Sequence, residues 1–485
     1  MMHVHQKLFG VFYTPDQVAK ALVQWVVRSE TDRLLDPSCG DGRFLTVHGN
    51  SVGVERDRKA AALARERAPR AEVYEADFFT WAESTRERFE CAAGNPPFIR
   101  YQHFSGAVRK TALTLAARCG ATFTALTSSW APFLVAASSV LKPGGRMAFV
   151  VPAEIGHAPY AAPLISYLVR KFGRVHVVAV RNKVFSGLSE DTWFLYTEGY
   201  RESTRHIHFT RTEAFEPLDA RPRAQKAIPV SEWEKWRFRL RPFILPDGVR
   251  GLYEQIASAP ASCRLGELAR VGIGYVTGAN DFFHLRPTVA RLFGIPEGCL
   301  QPTVRNARCL PDESLTRKVV EAWLRQDQPV LLLRLRPGQE LPGSVLAYLD
   351  SAAGREARES YKCRHREPWY AVPDVRIPDG FLSYMSGEGP SLVANSARCA
   401  CTNSLHAVHL KNSVDFVDIQ RLWRHPLTRL SCELEGHPLG GGMLKLEPGE
   451  AARVLLPSPT HPWSEADLDL LQRGIGILRR WRHYE

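Results

Sequence analysis

The chain has 485 residues, 45% of them hydrophobic and 24% charged, a balance that excludes a disordered or collagen-like chain. At roughly 150 residues per domain the length leaves room for a catalytic unit and a second module. The net charge of +12 divides into 0 over residues 1–100, +10 over 101–250 and +2 over 251–485, so either a polyanion runs along the middle stretch or that stretch is a solvated basic face.

In chain order, short β-branched runs alternate with helical patterns from residue 31 to about 198. Strands are predicted at 32–36, 51–55, 71–76, 90–94, 145–151, 174–180 and 191–197, and helices at 16–28, 57–68, 121–141 and 159–172. Such alternation predicts an α/β fold with a doubly wound, mostly parallel, seven-stranded sheet in a domain spanning 1–200. Lys142-Pro143-Gly144-Gly145 ends one helix and turns the chain into the next strand. Over 201–245 the rhythm gives way to Arg, Pro and Trp, which predicts a linker or bridging segment. Residues 246–485 read as a mixed, loop-rich second domain. Its last helix starts at Ser464, capped through Asp467, and buries Leu468, Leu471, Ile475 and Leu478.

No apolar run approaches the ~18 residues that span a bilayer, and Met1 to Gly10 lacks the charged-then-apolar pattern of a leader. A cytoplasmic protein without a membrane partner is expected. The ten cysteines are scattered without a C-x-x-C pair and read as reduced thiols. Cys399, Cys401, His406 and His409 have poor spacing for zinc, and no metal is expected.

The strongest local signal is Asp36-Pro37-Ser38-Cys39-Gly40-Asp41-Gly42, between an apolar strand and a predicted helix. Gly40 and Gly42 allow a backbone loop to approach a ligand closely. The loop lacks a P-loop's Lys-Ser/Thr ending and is not G-x-G-x-x-G; its acids repel phosphate and suit a cofactor with a cationic centre. Glu55 ends the second strand, where a carboxylate can accept both hydroxyls of a ribose. Asp77 follows the third strand and can accept an adenine amino hydrogen while Phe78 packs on the ring.

This series resembles the S-adenosylmethionine-dependent methyltransferase fold. Gly94-Asn95-Pro96-Pro97-Phe98, at the end of the fourth strand, resembles the catalytic motif of amino-group methyltransferases, above all DNA adenine-N6 methyltransferases. The resemblance implies S-adenosyl-L-methionine as cofactor, held by the glycine loop, Glu55, Asp77 and Asn95. Phe12-Tyr13-Thr14-Pro15 resembles the family's further cofactor motif, at the methionine end. An exocyclic amine on adenine is a poor nucleophile because its lone pair is delocalised into the ring. Two acceptors, the Asn95 side-chain oxygen and the Pro96 carbonyl, would bind its hydrogens and aim the lone pair at the methyl group. Phe98, where Tyr is commoner, would stack on an extruded base. Phe185, in Val184-Phe185-Ser186-Gly187, would form the other face of that sandwich.

The motif order resembles gamma-type DNA adenine methyltransferases of type II restriction-modification systems, which carry a carboxyl-terminal target-recognition domain, here 246–485. Three segments resemble that domain's signatures: 265–281, Arg366-Glu367-Pro368-Trp369-Tyr370 and Leu446-Glu447-Pro448-Gly449-Glu450. Trp233, Trp236 and Phe238 interleave with Lys235, Arg237, Arg239 and Arg241, a composition that grips a phosphate backbone or forms an edge strand with one wet face. The expected partner is duplex DNA with a flipped adenine. An amino-group methyltransferase acting on RNA or protein glutamine is the alternative, and a specificity subunit with a vestigial methylase half is a further one. Only about ten residues precede the first cofactor motif, so a restriction endonuclease or defence-system partner is expected as a separate chain.

Overall fold

A computed structural model describes residues 14–185, 190–216, 223–411, 414–439, 441–458 and 461–484. The chain divides into two compact units, Met1–Ile244 and Leu245–Glu485.

The first unit is built on one sheet. Its strands are β1 (Leu34–Asp36), β2 (Ser51–Glu55), β3 (Glu72–Glu75), β4 (Phe89–Gly94), β5 (Leu141–Pro152), β6 (Phe172–Val180), β7 (Thr192–Tyr200), β8 (His206–Thr212) and β9 (Lys226–Pro229). They lie in the order β3-β2-β1-β4-β5-β7-β6-β8-β9. The first five pair in parallel, and β7 inserts antiparallel between β5 and β6. β1, β2 and β4 are near-continuous apolar runs, as strands covered on both faces must be.

Helix α1 (Asp16–Val26) places Val18, Leu22 and Val26 on one face, in a core with Leu34, Ala93, Val150 and Phe194. The Asp57 carboxylate caps α2 (Arg58–Arg67) by accepting from the Ala60 amide at 2.9 Å. The α3 helix spans Phe78–Ser84 and α4 spans Gly106–Cys119, which ends at Gly120 in the left-handed region, φ 96°. Helix α5 (Trp130–Ser139) is apolar all round and accordingly buried on every side, and α6 (Ala161–Lys171) follows β5.

Several expectations are corrected. The sheet has nine strands rather than seven, because 201–245 is no linker: β8 and β9 extend the sheet edge, burying Ile207, Phe209 and Ile228. Residues 233–241 are not an edge strand. Trp233 is buried in a helix, Val230–Lys235, and Arg237 and Phe238 follow at positive φ. The helix expected over 121–141 begins only at Trp130, and 106–119 forms a separate helix. Beyond Gly42 the chain makes only a 3₁₀ turn, Leu45–Val47, because β2 starts at Ser51 and leaves no length for an α-helix. Lys142–Gly145 loops out as a bulge between the Phe89–Leu141 and Cys91–Arg146 pairs, with Gly144 at φ 77°.

The second unit contains a four-stranded antiparallel sheet in the order Ala269–Ile273, Leu405–Leu410, Gly380–Ser383, Leu392–Ala394. A second four-stranded sheet packs Leu300–Val304 between Leu331–Leu333 and Ala400–Cys401, with His284–Leu285 at its edge. Most helices are short, as the frequent Pro and Gly require. The last, Glu465–Arg480, has the expected box between Ser464 and Asp467. It buries Leu471, Gly474, Ile475 and Leu478, with Leu468 only half-buried. Beyond it the fully buried Arg482 guanidinium pairs with Glu433 at 2.7 Å and donates to two backbone carbonyls. Among the described residues no helix is long and apolar enough to cross a membrane.

Candidate active site

The parallel strands run outward from β1 in two directions, to β2 and β3 on one side and to β4 on the other. A crevice opens at such a switch point, outside the carboxyl ends of the strands. Asp36 ends β1, Glu55 ends β2, Asp77 lies two residues beyond β3, and Asn95 follows β4. Residues far apart in sequence thus share one rim.

Hydrogen bonds join them. The Gly40 amide donates to Glu55 Oε2 at 2.9 Å and the Asp57 amide to Oε1 at 2.7 Å, so two backbone groups aim the Glu55 carboxylate. Arg43 donates to the Thr14 carbonyl at 3.2 Å, to Asp16 at 3.1 Å and to Asp41 at 3.3 Å, tying the start of α1 to the glycine loop. Thr14 is buried and Pro15 precedes α1; Tyr13 lies outside the described residues. The Ser38 hydroxyl donates to the Asn95 carbonyl at 3.1 Å, linking the glycine loop to the Asn-Pro-Pro-Phe loop.

Two glycines are required by close approach. Gly42 sits at φ +87°, where an added Cβ would lie 2.9 Å from the Ala64 backbone. At Gly94 a Cβ would lie 2.8 Å from Asp36 Oδ1 and 3.3 Å from the Phe149 ring. The absence of a side chain there lets the Asp36 carboxyl lie against the start of the Asn-Pro-Pro-Phe loop.

Asp36 is only 1% exposed. Its Oδ1 accepts from the Ser38 amide at 3.2 Å, while Oδ2 is buried with no partner among the described residues. Burial pushes this carboxyl well above its ordinary range; the Ser38 amide opposes the shift, and Glu55 and Asp41 add to it. The rim therefore holds one carboxyl oxygen, Asp36 Oδ2, with no donor among the described residues.

Two expected contacts are placed differently. The Cys39 thiol packs with Leu45 and Ala64, its amide donates to Val54 O at 3.1 Å, and its carbonyl accepts from Gly42 at 2.8 Å. Burial raises its pKa, so Cys39 shapes the loop as an inert thiol. The Phe78 ring is buried against Phe133, with centroids 4.7 Å apart, rather than open to the crevice. Asp77 caps α3 by accepting from the Thr80 amide at 3.2 Å, and the Phe78 amide falls in the first turn, where the helix supplies no acceptor.

Pro96 is buried and Phe98 half-buried. Phe98 and the 5%-exposed Phe185 share one apolar cluster with Val184 and Phe194. The two rings expected to sandwich a base thus border the same apolar cluster, with Phe185 mostly covered.

Sequence reasoning missed Ser129, just ahead of α5. Its hydroxyl donates to the Pro97 carbonyl at 2.5 Å and accepts from the Ile99 amide at 3.0 Å, and its amide donates to the Ile99 carbonyl at 3.0 Å. The signal was present as Ser128-Ser129 before an apolar helix, but the helix predicted over 121–141 hid it. The basic stretch also reads differently. Of the five cations over 101–150, Arg118 pairs with Glu83, Lys142 with Glu90 and Arg146 with Asp32. Three of those five cations are thus paired within the first unit, Arg146 with Asp32 largely out of solvent.

The carboxyl-terminal signature residues serve their own unit's architecture. Glu267 accepts from the Arg264 amide at 3.0 Å, Glu447 and Glu450 form a reciprocal capping box, and a Cβ on Gly274 would meet the Cys401 carbonyl at 2.2 Å. Among the described residues no group of three or more His, Cys, Asp or Glu could hold a metal.

Residues 2–213 match the N-6 DNA Methylase family model, and residues 235–476 match the C-terminal domain of type II methyltransferase M.Eco57I. Type II methyltransferase M.AccI of Acinetobacter calcoaceticus is 20% identical over 99% of this chain and 90% of its own. Type II methyltransferase M.XamI of Xanthomonas campestris pv. amaranthicola is 24% identical over 93% of this chain and 85% of its own. Among solved structures, the type IIL restriction-modification enzyme MmeI in complex with DNA has the same fold, with a TM-score of 0.54 and 12% identity over 99% of this chain and 74% of that one.

Proposed function

We propose that the chain, which matches the N-6 DNA Methylase model in its first part and the C-terminal domain of type II methyltransferase M.Eco57I in its second, transfers the methyl group of S-adenosyl-L-methionine to a flipped-out adenine of a short duplex site, with the acceptor amine held at Asn95. The observation that carries this reading is the bond from the Ser38 hydroxyl to the Asn95 carbonyl, which joins an acidic cofactor rim to an Asn-Pro-Pro-Phe loop.

The donor set fits this cofactor. Asp36, Glu55 and Asp77 surround the rim, and the unpartnered Asp36 Oδ2 suits a cationic ligand and no phosphate. Thr14, Pro15 and the Ser38–Gly42 loop would hold the methionine end, Glu55 the ribose, and Asp77 with the Phe78 amide the adenine; Tyr13 is proposed from its motif alone. When bound, the cofactor supplies an electrophilic methyl group on a sulfonium. The chain's own residues do the rest. The Asn95 side-chain oxygen and the Pro96 carbonyl accept the two hydrogens of the target amine, drawing the nitrogen toward tetrahedral geometry. Among the described residues no donor is directed at the Pro96 carbonyl, whereas the Asn95 and Pro97 carbonyls on either side accept from serine hydroxyls. Phe98 offers a stacking face, and Phe185 completes it once its ring is uncovered by the entering base.

Residues 246–485 are proposed to read the target sequence, and a restriction endonuclease or defence-system subunit is proposed as a separate partner in a cytoplasmic modification system. The RNA or protein-glutamine alternative is not favoured, because the relatives matched over nearly the whole chain are type II methyltransferases. Labelled-methyl transfer to duplex DNA by the wild type and by Asn95→Ala tests the reading: label should enter adenine with the first and not with the second.

A further inference from the structure

Ser129 stands at the amino end of α5, yet its side chain makes no capping bond there. A serine in that place ordinarily accepts from an amide of the first helical turn. Here the hydroxyl is instead committed to the catalytic loop, donating to Pro97 O at 2.5 Å and accepting from the Ile99 amide at 3.0 Å. The Ser129 amide closes a third bond on Ile99 O at 3.0 Å. The residue is 1% exposed, so no water competes for these groups.

From the opposite side of the loop, Ser38 donates to Asn95 O. Ser38 holds the Asn95–Pro96 peptide and Ser129 the Pro97–Phe98 peptide, and between them the Pro96 carbonyl accepts from no donor among the described residues. Both neighbours of Asn95 in the chain are constrained too, since Gly94 lies against Asp36 and Pro96 has a fixed φ. Ser129 anchors the chain just past Pro96 and so opposes a rotation of the Pro96–Pro97 segment, which would turn the Pro96 carbonyl away from the Asn95 side chain.

We propose that Ser129 is a positioning residue for methyl transfer: its hydroxyl locks the turn after Pro96 so that the Pro96 carbonyl and the Asn95 side chain converge on one amine. It touches neither cofactor nor substrate and acts through the loop. The inference rests on the proposed function, and positional errors well under 1 Å are enough to cost rate at a site of this kind.

The test compares wild type, Ser129→Ala and Ser129→Thr in full-length protein, with single-turnover transfer from S-adenosylmethionine, cofactor and DNA affinities, and fluorescence of 2-aminopurine at the target adenine as a report of extrusion. Ser129→Ala should lower the single-turnover rate 10- to 100-fold with both affinities and the fluorescence change within about 3-fold of wild type, and Ser129→Thr, which keeps a hydroxyl, should recover most of the rate. Three outcomes overturn the proposal: an alanine variant within 2-fold of wild type, an alanine variant that loses cofactor and DNA binding together with the rate, or a threonine variant that binds normally but is as slow as alanine. A wild type that transfers nothing to DNA instead refutes the functional reading, and this inference with it.

Discussion

Asp36→Asn should make the protein more stable and worse at holding its cofactor. The wild-type carboxyl is 1% exposed and, among the described residues, accepts one hydrogen bond, at Oδ1 from the Ser38 amide. Its Oδ2 is buried without a partner among the described residues, and Glu55 and Asp41 repel its charge. Leaving a buried polar or charged group unsatisfied costs about 1–3 kcal/mol or more. Asparagine keeps the Oδ1 acceptor and removes the charge, so a gain of about 1–2 kcal/mol is expected, or roughly 2–8 °C in the melting temperature of a unit this size. The sign with pH follows from the upward shift. A carboxyl raised in the folded state above its unfolded value stabilises the fold least at neutral pH, because stability falls as pH rises from the unfolded value toward the folded one. The advantage of Asp36→Asn should therefore be absent near pH 4 and grow as pH rises. In the other direction, losing the carboxylate proposed to face the cationic cofactor, at about 1–3 kcal/mol, should weaken S-adenosylmethionine binding roughly 5- to 150-fold. Thermal melts from pH 4 to 8, with titration calorimetry, read both. An asparagine variant that is less stable at neutral pH, or that binds the cofactor as tightly as wild type, refutes the argument.

Asp77→Ala removes the α3 cap, worth about 1 kcal/mol, and the proposed adenine acceptor together; cofactor affinity should fall at least 10-fold while DNA binding stays within about 3-fold, as calorimetry and gel shift will read. Gly94→Ala places a methyl 2.8 Å from Asp36 Oδ1, and a glycine held this tightly should cost about 1–3 kcal/mol in denaturant melts and most of the activity. Phe98→Tyr should keep at least half of the transfer rate and Phe98→Leu should lose 10-fold or more, because stacking uses the ring; equal rates for the two would discount a stacking role.

The parallel strands and the placement of Asp36, Glu55, Asp77 and Asn95 at their ends were legible because their signals are local. A run such as Leu34-Leu35-Asp36 followed by glycines marks a strand and its end within a dozen residues, and Pro96 and Pro97 fix their own backbone. What escaped was set by distant contacts. His206–Thr212 carries only Ile207 and Phe209 as deeply buried large apolar residues, and Lys226–Pro229 is four residues long. Such strands exist because β6 offers an edge to pair with. Ser129 reaches back about thirty residues to the catalytic loop, and Arg118, Lys142 and Arg146 find their acids on other elements; no window along the chain contains those pairs. Cys39 and Phe78 lie in the right motifs, but their side chains turn toward packing, which motif spacing does not specify.

The central claim is tested most directly by modification-sensitive sequencing of DNA from a methylation-deficient bacterial host expressing the wild type, beside the same host expressing Asn95→Ala. N6-methyladenine should appear at one short sequence motif in the first and be absent from the second. An adenine mark that persists with Asn95→Ala, or a wild type that leaves DNA unmarked while methylating RNA or protein, contradicts that claim.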